Sequence, residues 1–220
     1  MLEILERPKT LKECALEKLR EAIMLGAFKP GERLVERVLC EKLCVSRTVI
    51  RECIRHLESE RLITTIPNAG PSITILDAGQ VAEIYEIRGA LESTAARACA
   101  QNASDKTIDQ LKKHCNSIET QLKAGNILKA LVQTRLFYKT IFLAGDKTVS
   151  WDLVQQLNGR ISQLRVLTLK SKGRSTTGPE NLKNIVTAIE NHSPEAAADA
   201  CLKHIREASL IALECLEPQE

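Results

Sequence analysis

Two short stretches decide the fold of the first third of this 220-residue chain: PGERL at Pro30–Leu34 and VSRTVIRE at Val45–Glu52. The first is centred on a Pro-Gly pair, which predicts a turn. In the second, Ser46 is a favourable helix N-cap, and apolar residues recur with helical period after it as far as about residue 60. The second stretch therefore predicts a tight corner that leads into a helix.

Two helices are predicted before that corner. The first covers residues 10–25, where a capping box of Thr10 and Glu13 marks the start and Gly26 marks the stop. The second is a shorter stretch at residues 36–43. The order of these elements is helix, turn, helix, corner and helix.

Two β-prone runs follow, at residues 62–66 and 72–76, and the segment Pro67–Pro71 separates them. Such runs around a Pro- and Gly-containing segment predict a small hairpin. Three helices and a hairpin in this order indicate a winged helix-turn-helix, and we assign it to residues 1–76.

The third predicted helix carries the strongest indication of function. Its first turn displays Arg47 and Thr48, Arg51 lies one turn further, and Arg55 extends the same basic stripe. Recognition helices present these positions to the DNA major groove, where Arg bonds guanine or phosphate and Thr contacts phosphate or a thymine methyl group. An ordinary solvated helix face would also explain an Arg stripe taken alone.

Residues 77–220 show almost no strand signal. Apolar periodicity predicts six helices there, at about 80–101, 104–123, 126–144, 147–170, 180–191 and 193–216, with a polar loop at 172–179. The predicted fold class is therefore mainly α: an N-terminal winged helix-turn-helix, followed by an all-α six-helix bundle in residues 77–220.

Composition narrows the function classes. Aromatic residues are 3% of the chain, too few for a large β-sandwich or for a protein that stacks single-stranded bases, and the net charge of +3 is uninformative. No apolar run reaches the ~18 residues of a membrane span, and a signal-peptide pattern is missing, so we expect a cytoplasmic protein with no membrane partner. Nucleophile-elbow, phosphate-loop and dinucleotide motifs are also missing, so we expect no enzyme activity.

The eight cysteines lie at positions 14, 40, 44, 53, 99, 115, 201 and 215, without the paired spacing of a zinc site. Several of them, including Cys14, Cys53 and Cys201, fall at apolar helix positions, which predicts buried thiols. Cys40 and Cys44 stand one helical turn apart, which leaves a redox role open.

Residues 11–76 resemble the DNA-binding domain of the GntR family of bacterial transcription regulators. The resemblance rests on Leu19–Ile23, Pro30–Leu34, Val45–Thr48 and Arg51–Glu52. It implies DNA contacts from the second helix, the third helix and the hairpin, and the predicted DNA-binding residues are Arg37, Ser46, Arg47, Thr48, Arg51, Asn68 and Gly70. Arg61 departs from the family, which usually has Gly before the first strand of the hairpin.

Residues 77–220 resemble the FCD effector domain of FadR-like regulators, in its short, six-helix VanR-type form. The resemblance rests chiefly on EIYEIRGALE at Glu83–Glu92. Most FCD domains bind a divalent metal through one Asp and three His, and the matching positions here are Thr134, Tyr138, Leu182 and His204. A hydroxyl, a phenol and a leucine do not replace a carboxylate and two imidazoles, so we expect no metal and no other cofactor.

The same resemblance implies a pocket for a small-molecule effector, either a small organic acid or an acyl compound. The predicted effector-binding residues are Arg88, Thr134, Tyr138, Arg165, Asn181 and His204. Arg88 suits a bidentate grip on a carboxylate. The alternatives are an ion pair of Arg88 with Glu92 or Glu86, a core position for His204 and a filling role for Tyr138.

These observations together predict a ligand-responsive transcriptional regulator, by family habit a repressor, that binds a palindromic operator of double-stranded DNA as a homodimer. Two-fold protein symmetry would match the symmetry of the operator. The alternative is a winged-helix adaptor that binds other proteins and no DNA.

Overall fold

The computed structural model describes residues 8–169, 171 and 174–216. The chain divides into two compact units, Met1–Ile75 and Leu76–Glu220. The first unit contains, in chain order, α1 (Leu11–Leu25), α2 (Glu36–Leu43), α3 (Arg47–Ser59), β1 (Ile63–Ile66) and β2 (Gly70–Ile73).

The predicted helix ends of the first unit are confirmed. The Thr10 hydroxyl accepts a hydrogen bond from the Glu13 N–H, and the Glu13 carboxylate accepts one from the Thr10 N–H, which completes the capping box of α1. Gly26 ends α1 in the left-handed conformation, with φ 81°. Ser46 caps α3 by accepting from the Val49 N–H.

The hairpin is antiparallel, and its register pairs Ile63 with Ile73 and Ile66 with Gly70. The second strand therefore begins two residues earlier than predicted and includes Pro71. A sheet edge tolerates proline, and β2 is extended on its other side only by a single bridge between Arg33 and Ser72. The apolar sides of α1, α2 and α3 and the first and last hairpin residues form the core of this unit.

The second unit contains α4 (Ala78–Asn102), α5 (Asp105–Lys123), α6 (Ile127–Ala144), α7 (Thr148–Gln156), α8 (Asn158–Leu169), α9 (Arg174–Glu190) and α10 (Pro194–Glu214). Its described residues thus form seven helices rather than six. The single helix expected over 147–170 is broken at Leu157, whose N–H bonds the Val154 carbonyl as a one-turn cap. The Asn158–Gly159 pair follows at once, and its low helix propensity favours a break there.

The polar stretch predicted as a loop at 172–179 differs from residue 174 onward, because α9 already begins at Arg174 and contains Pro179. Residues 172 and 173 lie outside the described residues. Gly178 and Pro179 are buried, so tertiary packing compensates for the helix-breaking tendency of proline.

The bundle is organised around α4 and α10, which pack along each other more extensively than any other pair of its described helices. At the end of α6, Gly145 lies so close to α4 that a Cβ atom would approach the Ala95 carbonyl oxygen to 2.9 Å. None of the described helices combines the length and apolar character that crossing a bilayer requires.

Candidate DNA-reading surface and ligand cavity

The N-terminal turn of α3 is an exposed basic surface on a rigid support. Four apolar residues anchor the opposite side of the helix in the core: Ile50, Cys53, Ile54 and Leu57. Arg47 and Thr48 are exposed directly after the Ser46 cap. The Ser46 hydroxyl is engaged with the Val49 N–H, at 3.4 Å, so its role in the structure is to begin the helix.

Two other predicted DNA-binding arginines take part in exposed ion pairs within this unit. Arg51 donates from Nε to both carboxylate oxygens of Glu36, at 3.1 Å each, and this hydrogen bond raises the pKa of Arg51. Arg37 donates to Glu41 one turn away on α2, at 3.0 Å. Exposed pairs of this kind contribute little net stability because water solvates both partners, so a phosphate can displace the carboxylate.

The tip of the hairpin lies at Pro67–Ala69. Asn68 has φ 64° and Gly70 has φ 87°, so both occupy the left-handed region that a tight turn requires. Asn68 is exposed. Arg61, which precedes β1, also has a left-handed φ of 59°, and this accounts for the preference of the family for glycine at its position.

The second unit contains a cavity of about 30 Å³ between α4, α5, α6, α8, α9 and α10. Four of the six predicted effector residues line it: Arg88, Thr134, Arg165 and His204. Tyr138 is buried beside them, with its ring 4.9 Å from the guanidinium carbon of Arg165. Asn181 does not line this cavity, and its amide instead donates to the Glu207 carboxylate.

A buried charge cluster occupies one wall of the cavity. Arg88 Nε donates to Glu92 Oε1 at 2.8 Å, and Arg165 Nη2 lies 3.7 Å from the same oxygen. The exposed fractions of these side chains are 2% for Arg88, 0% for Glu92 and 9% for Arg165. The structure thus adopts the ion pair of Arg88 with Glu92 that stood as an alternative, and it adds Arg165 to the same carboxylate.

The two guanidinium groups are not equally compensated. Burial lowers the pKa of Arg88, but the adjacent Glu92 carboxylate together with Tyr85 and Tyr138 outweighs burial and holds the pKa of Arg88 above its ordinary value. Burial and the like charge of Arg88 both lower the pKa of Arg165, and the more distant Glu92 does not offset them. Glu92 therefore serves mainly as the counter-ion of Arg88.

Several polar atoms of this cluster have no hydrogen-bond partner among the described residues. They are Nη1 of Arg88, Nη2 of Arg165 and the hydroxyl of Tyr138. Burial raises the pKa of Tyr138 well above its ordinary value, so the phenol keeps its proton and acts as a donor. The wall of the cavity therefore presents hydrogen-bond donors.

Comparison with known families accounts for both units. Residues 11–73 match the family described as bacterial regulatory proteins, gntR family, and residues 83–207 match the FCD domain. The chain belongs to the gntR family of bacterial regulators and carries an FCD domain. Members of this family are transcription regulators and not enzymes.

Individual relatives agree with this assignment. The uncharacterized HTH-type transcriptional regulator YdhC of Bacillus subtilis is 29% identical over 85% of this chain and 84% of its own. The gluconate operon transcriptional repressor of B. subtilis is 23% identical over 80% of this chain and 70% of its own. The structure of E. coli McbR/YncC has the same fold, with a TM-score of 0.76 and 20% identity over 94% of this chain and 99% of that one.

The metal that most FCD domains bind does not fit the residues of this FCD domain. The Thr134 hydroxyl donates to the Ala130 carbonyl at 2.9 Å, Leu182 has no donor atom, and the buried Tyr138 phenol stays protonated. Only His204 remains as a strong ligand type at the four positions. Throughout the described part of the chain, no group of three or more His, Cys, Asp or Glu side chains is placed to hold a metal ion.

The cysteines of the regulator are all free thiols. Burial of Cys53, Cys99, Cys115 and Cys201 agrees with the prediction of buried thiols, whereas Cys14 is exposed, contrary to prediction, because it lies on the outer side of α1. Burial raises the pKa of both Cys99 and Cys115 to about 12, which keeps them unreactive as nucleophiles.

Proposed function

We propose that this regulator is a transcriptional repressor that binds a palindromic operator as a homodimer and responds to a small organic acid or acyl ligand in its FCD cavity, without a metal. The observation that carries the proposal is the first turn of α3. It presents Arg47 and Thr48 to solvent from a helix whose other side is fixed in the core. A DNA-reading helix needs this combination of exposed donors and rigid support.

The charge around that turn supports a DNA contact. Within the described part of the chain, Arg47 makes no ion pair, so its guanidinium is available to a guanine edge or a phosphate. Arg37 and Arg51 are held near it by carboxylates that compete only weakly in water. The exposed Asn68, and Gly70 two residues further along the hairpin, are the proposed contacts of this unit with the DNA backbone.

An exposed apolar stripe supports the homodimer. Val132, Leu136 and Leu143 are exposed on α6, and their spacing of four and seven residues places them on one side of that helix. Exposed apolar residues grouped on one side of a helix often mark a surface that a partner covers. In a two-fold dimer, the same stripe on each copy covers the other, and the two reading helices match the two half-sites of the operator.

The repressor role is supported by similarity to the gluconate operon transcriptional repressor of B. subtilis. The ligand acts by its differential affinity for DNA-competent and DNA-incompetent states of the dimer. The small size of the cavity and its buried donors support a small ligand with at least one acceptor group.

The DNA-binding proposal is tested by selecting bound duplexes from a random pool with the full-length protein. Affinity for the selected duplex is then measured by fluorescence anisotropy as a function of salt concentration. We expect an inverted-repeat sequence and a logarithm of the binding constant that falls by about 0.9 per displaced phosphate contact. A protein-binding adaptor would select no sequence and show no such slope, which would refute the proposal.

The homodimer is tested with Leu136→Asp, which places a charge in the stripe, and light scattering gives the mass in solution. We expect a monomer with weakened operator binding. Leu11→Asp is the matched control, because Leu11 is also an exposed leucine, at 61% against 38% for Leu136, and lies outside α6. Dimers that persist in the Leu136 variant would remove the stripe from the interface.

A further inference from the structure

The segment between α1 and α2 is hydrogen-bonded along the second strand of the hairpin. The Leu34 N–H donates to the Pro71 carbonyl at 2.8 Å, and the Ile73 N–H donates to the Glu32 carbonyl at 2.9 Å. Arg33 lies between these contacts and itself forms a single bridge to the strand. Leu34 is buried, whereas Arg33 is exposed. The backbone of Arg33 is therefore held against the hairpin while its side chain reaches solvent.

The Arg33 guanidinium lies beside Gly70, next to the tip of the hairpin. A Cβ atom at Gly70 would be in van der Waals contact with Arg33, at 3.8 Å from Nε and 3.9 Å from Nη2. Because glycine has no side chain, a ligand can approach the main chain closely at this position. An anion that reaches the Gly70 backbone would therefore meet the guanidinium of Arg33.

The charge of Arg33 is not neutralised by a carboxylate of the described residues. The two acidic residues nearest to it in the sequence are both engaged with other groups. The Glu32 carboxylate accepts a hydrogen bond from the Lys29 N–H at 2.8 Å, and the Glu36 carboxylate accepts from Arg51 of α3. The guanidinium of Arg33 is therefore available to an anion that approaches the hairpin.

The residues already proposed to contact DNA from the hairpin carry no charge. Asn68 offers an amide, and Gly70 offers only its main chain. Neutral groups help to fix the position of a protein on DNA, but it is Lys and Arg that neutralise phosphates, release counterions and so supply salt-dependent affinity. Arg33 gives the hairpin the cation that its tip lacks.

We propose that Arg33 is a further DNA-contacting residue, and that its guanidinium binds a backbone phosphate beside the hairpin. The inference rests on the proposed function, because it takes the first unit as the one that binds DNA. It adds a contact that fixes the position of this unit on the duplex and does not itself distinguish base pairs.

The first test compares the salt dependence of operator binding by the parent protein and by Arg33→Gln, measured by fluorescence anisotropy with the full-length chain. Loss of one phosphate contact per copy should reduce the slope of log binding constant against log salt concentration by about 0.9, and by about 1.8 for a bound homodimer. The ratio of parent to variant affinity should then be about tenfold larger at 50 mM than at 200 mM salt. The penalty for altering each operator base pair should be the same in both proteins.

Two variants and a melt serve as controls. Arg33→Lys keeps the charge and should keep the parental slope. Arg206→Gln removes the same charge from an exposed arginine on α10 of the FCD domain, and should also leave the slope unchanged. Because the Arg33 side chain is exposed, Arg33→Gln should melt at the temperature of the parent protein.

The second test locates the phosphate. Operators are synthesised with one neutral methylphosphonate in place of each phosphate in turn. At one position in each half-site, the replacement should weaken binding by the parent protein several-fold and binding by Arg33→Gln hardly at all. The two changes are not additive there because either one removes the same contact.

Several results would overturn the inference. They are a parental slope in Arg33→Gln, an equal loss of slope in Arg33→Lys or Arg206→Gln, a penalty that vanishes at one operator base pair in Arg33→Gln, the lack of any phosphate coupled to Arg33, or a melting temperature of Arg33→Gln well below that of the parent. Failure of the proposed function looks different. In that case the parent protein itself selects no duplex and shows no slope, which overturns both.

Discussion

The same ion pair, Arg followed by Glu four residues later on a helix, occurs in both units and has opposite consequences. Arg37 and Glu41 on α2 expose 70% and 62% of their side chains, whereas Arg88 and Glu92 on α4 expose 2% and 0%. On α2, water solvates each partner when the pair opens. On α4, each partner is the main source of compensation for the other.

This difference matches the requirements of the two proposed roles, DNA reading and ligand binding. A DNA-reading surface needs guanidinium groups that exchange a carboxylate for a phosphate at little cost, and exposed pairs allow this. A selective ligand cavity needs charges fixed in position before the ligand arrives, because preorganised donors lose little freedom on binding. Burial, rather than the residue types or their spacing, decides which role an Arg–Glu pair has.

The largest effect that would test this comparison is expected for Glu92→Gln. The substitution leaves two buried guanidinium groups without a carboxylate, and we expect the free energy of unfolding to fall by about 3–5 kcal/mol in chemical denaturation of the full-length protein. Glu41→Gln, the matched change in the exposed pair, should leave the unfolding curve unchanged within error. Similar losses in both variants would show that burial does not distinguish the pairs.

A smaller effect is expected on the DNA-reading side. Arg47→Ala should weaken binding to the selected operator by about 5- to 150-fold if the side chain contacts a base pair. Anisotropy titration measures the affinity, and circular dichroism should show that the folding of the variant is unchanged. Lys18→Ala, which removes an exposed cation from α1, is the control, and equal weakening in both variants would reduce the role of Arg47 to bulk charge.

Arg61→Gly tests the backbone beside the hairpin. Arg61 holds a left-handed φ of 59°, so glycine should raise the free energy of unfolding by about 0.5–1 kcal/mol. The same change at Arg55, inside the right-handed helix α3, should lower it by about 1 kcal/mol. A loss of stability in both variants would mean that side-chain contacts of Arg61 outweigh its backbone strain.

The smallest effect concerns the exposed pair between α2 and α3. Glu36→Gln releases Arg51 and removes a negative charge beside the reading helix, so operator affinity should rise by about twofold to fivefold at low salt and by less at high salt. Glu21→Gln on α1 removes a carboxylate elsewhere in the unit and should change affinity less. A decrease for Glu36→Gln would show that Glu36 orients Arg51 for DNA and does not merely compete with it.

Local signals in the sequence were sufficient to predict most of the helix ends of the first unit. The caps at Thr10, Ser46 and Gly26 act through hydrogen bonds within a few residues, so a short stretch of sequence determines them. The start of α3 follows from the Ser46 cap, whereas α2 begins without a side-chain cap. The start of β2 was wrong by two residues because its pairing with β1 depends on register, which the sequence of one strand does not specify.

The cavity was harder to predict because it depends on how six helices pack. Spacing alone offered Glu92 as a partner for Arg88, but not the approach of Arg165 from α8 to the same carboxylate. Asn181 was placed in the cavity by resemblance, and its hydrogen bond with Glu207 involves a residue 26 positions away. The break at Leu157 was missed because apolar periodicity continues across it.

A cation that is part of the polypeptide differs from a bound metal ion in how the cell supplies it. Divalent ions exchange with the pools of the cell, and their supply changes with nutrition and stress, whereas the guanidinium of Arg165 is present in every copy that is synthesised. If the response of this regulator to its ligand proves independent of chelators, its activity reports the concentration of that ligand alone, and starvation for metals leaves that report unaltered.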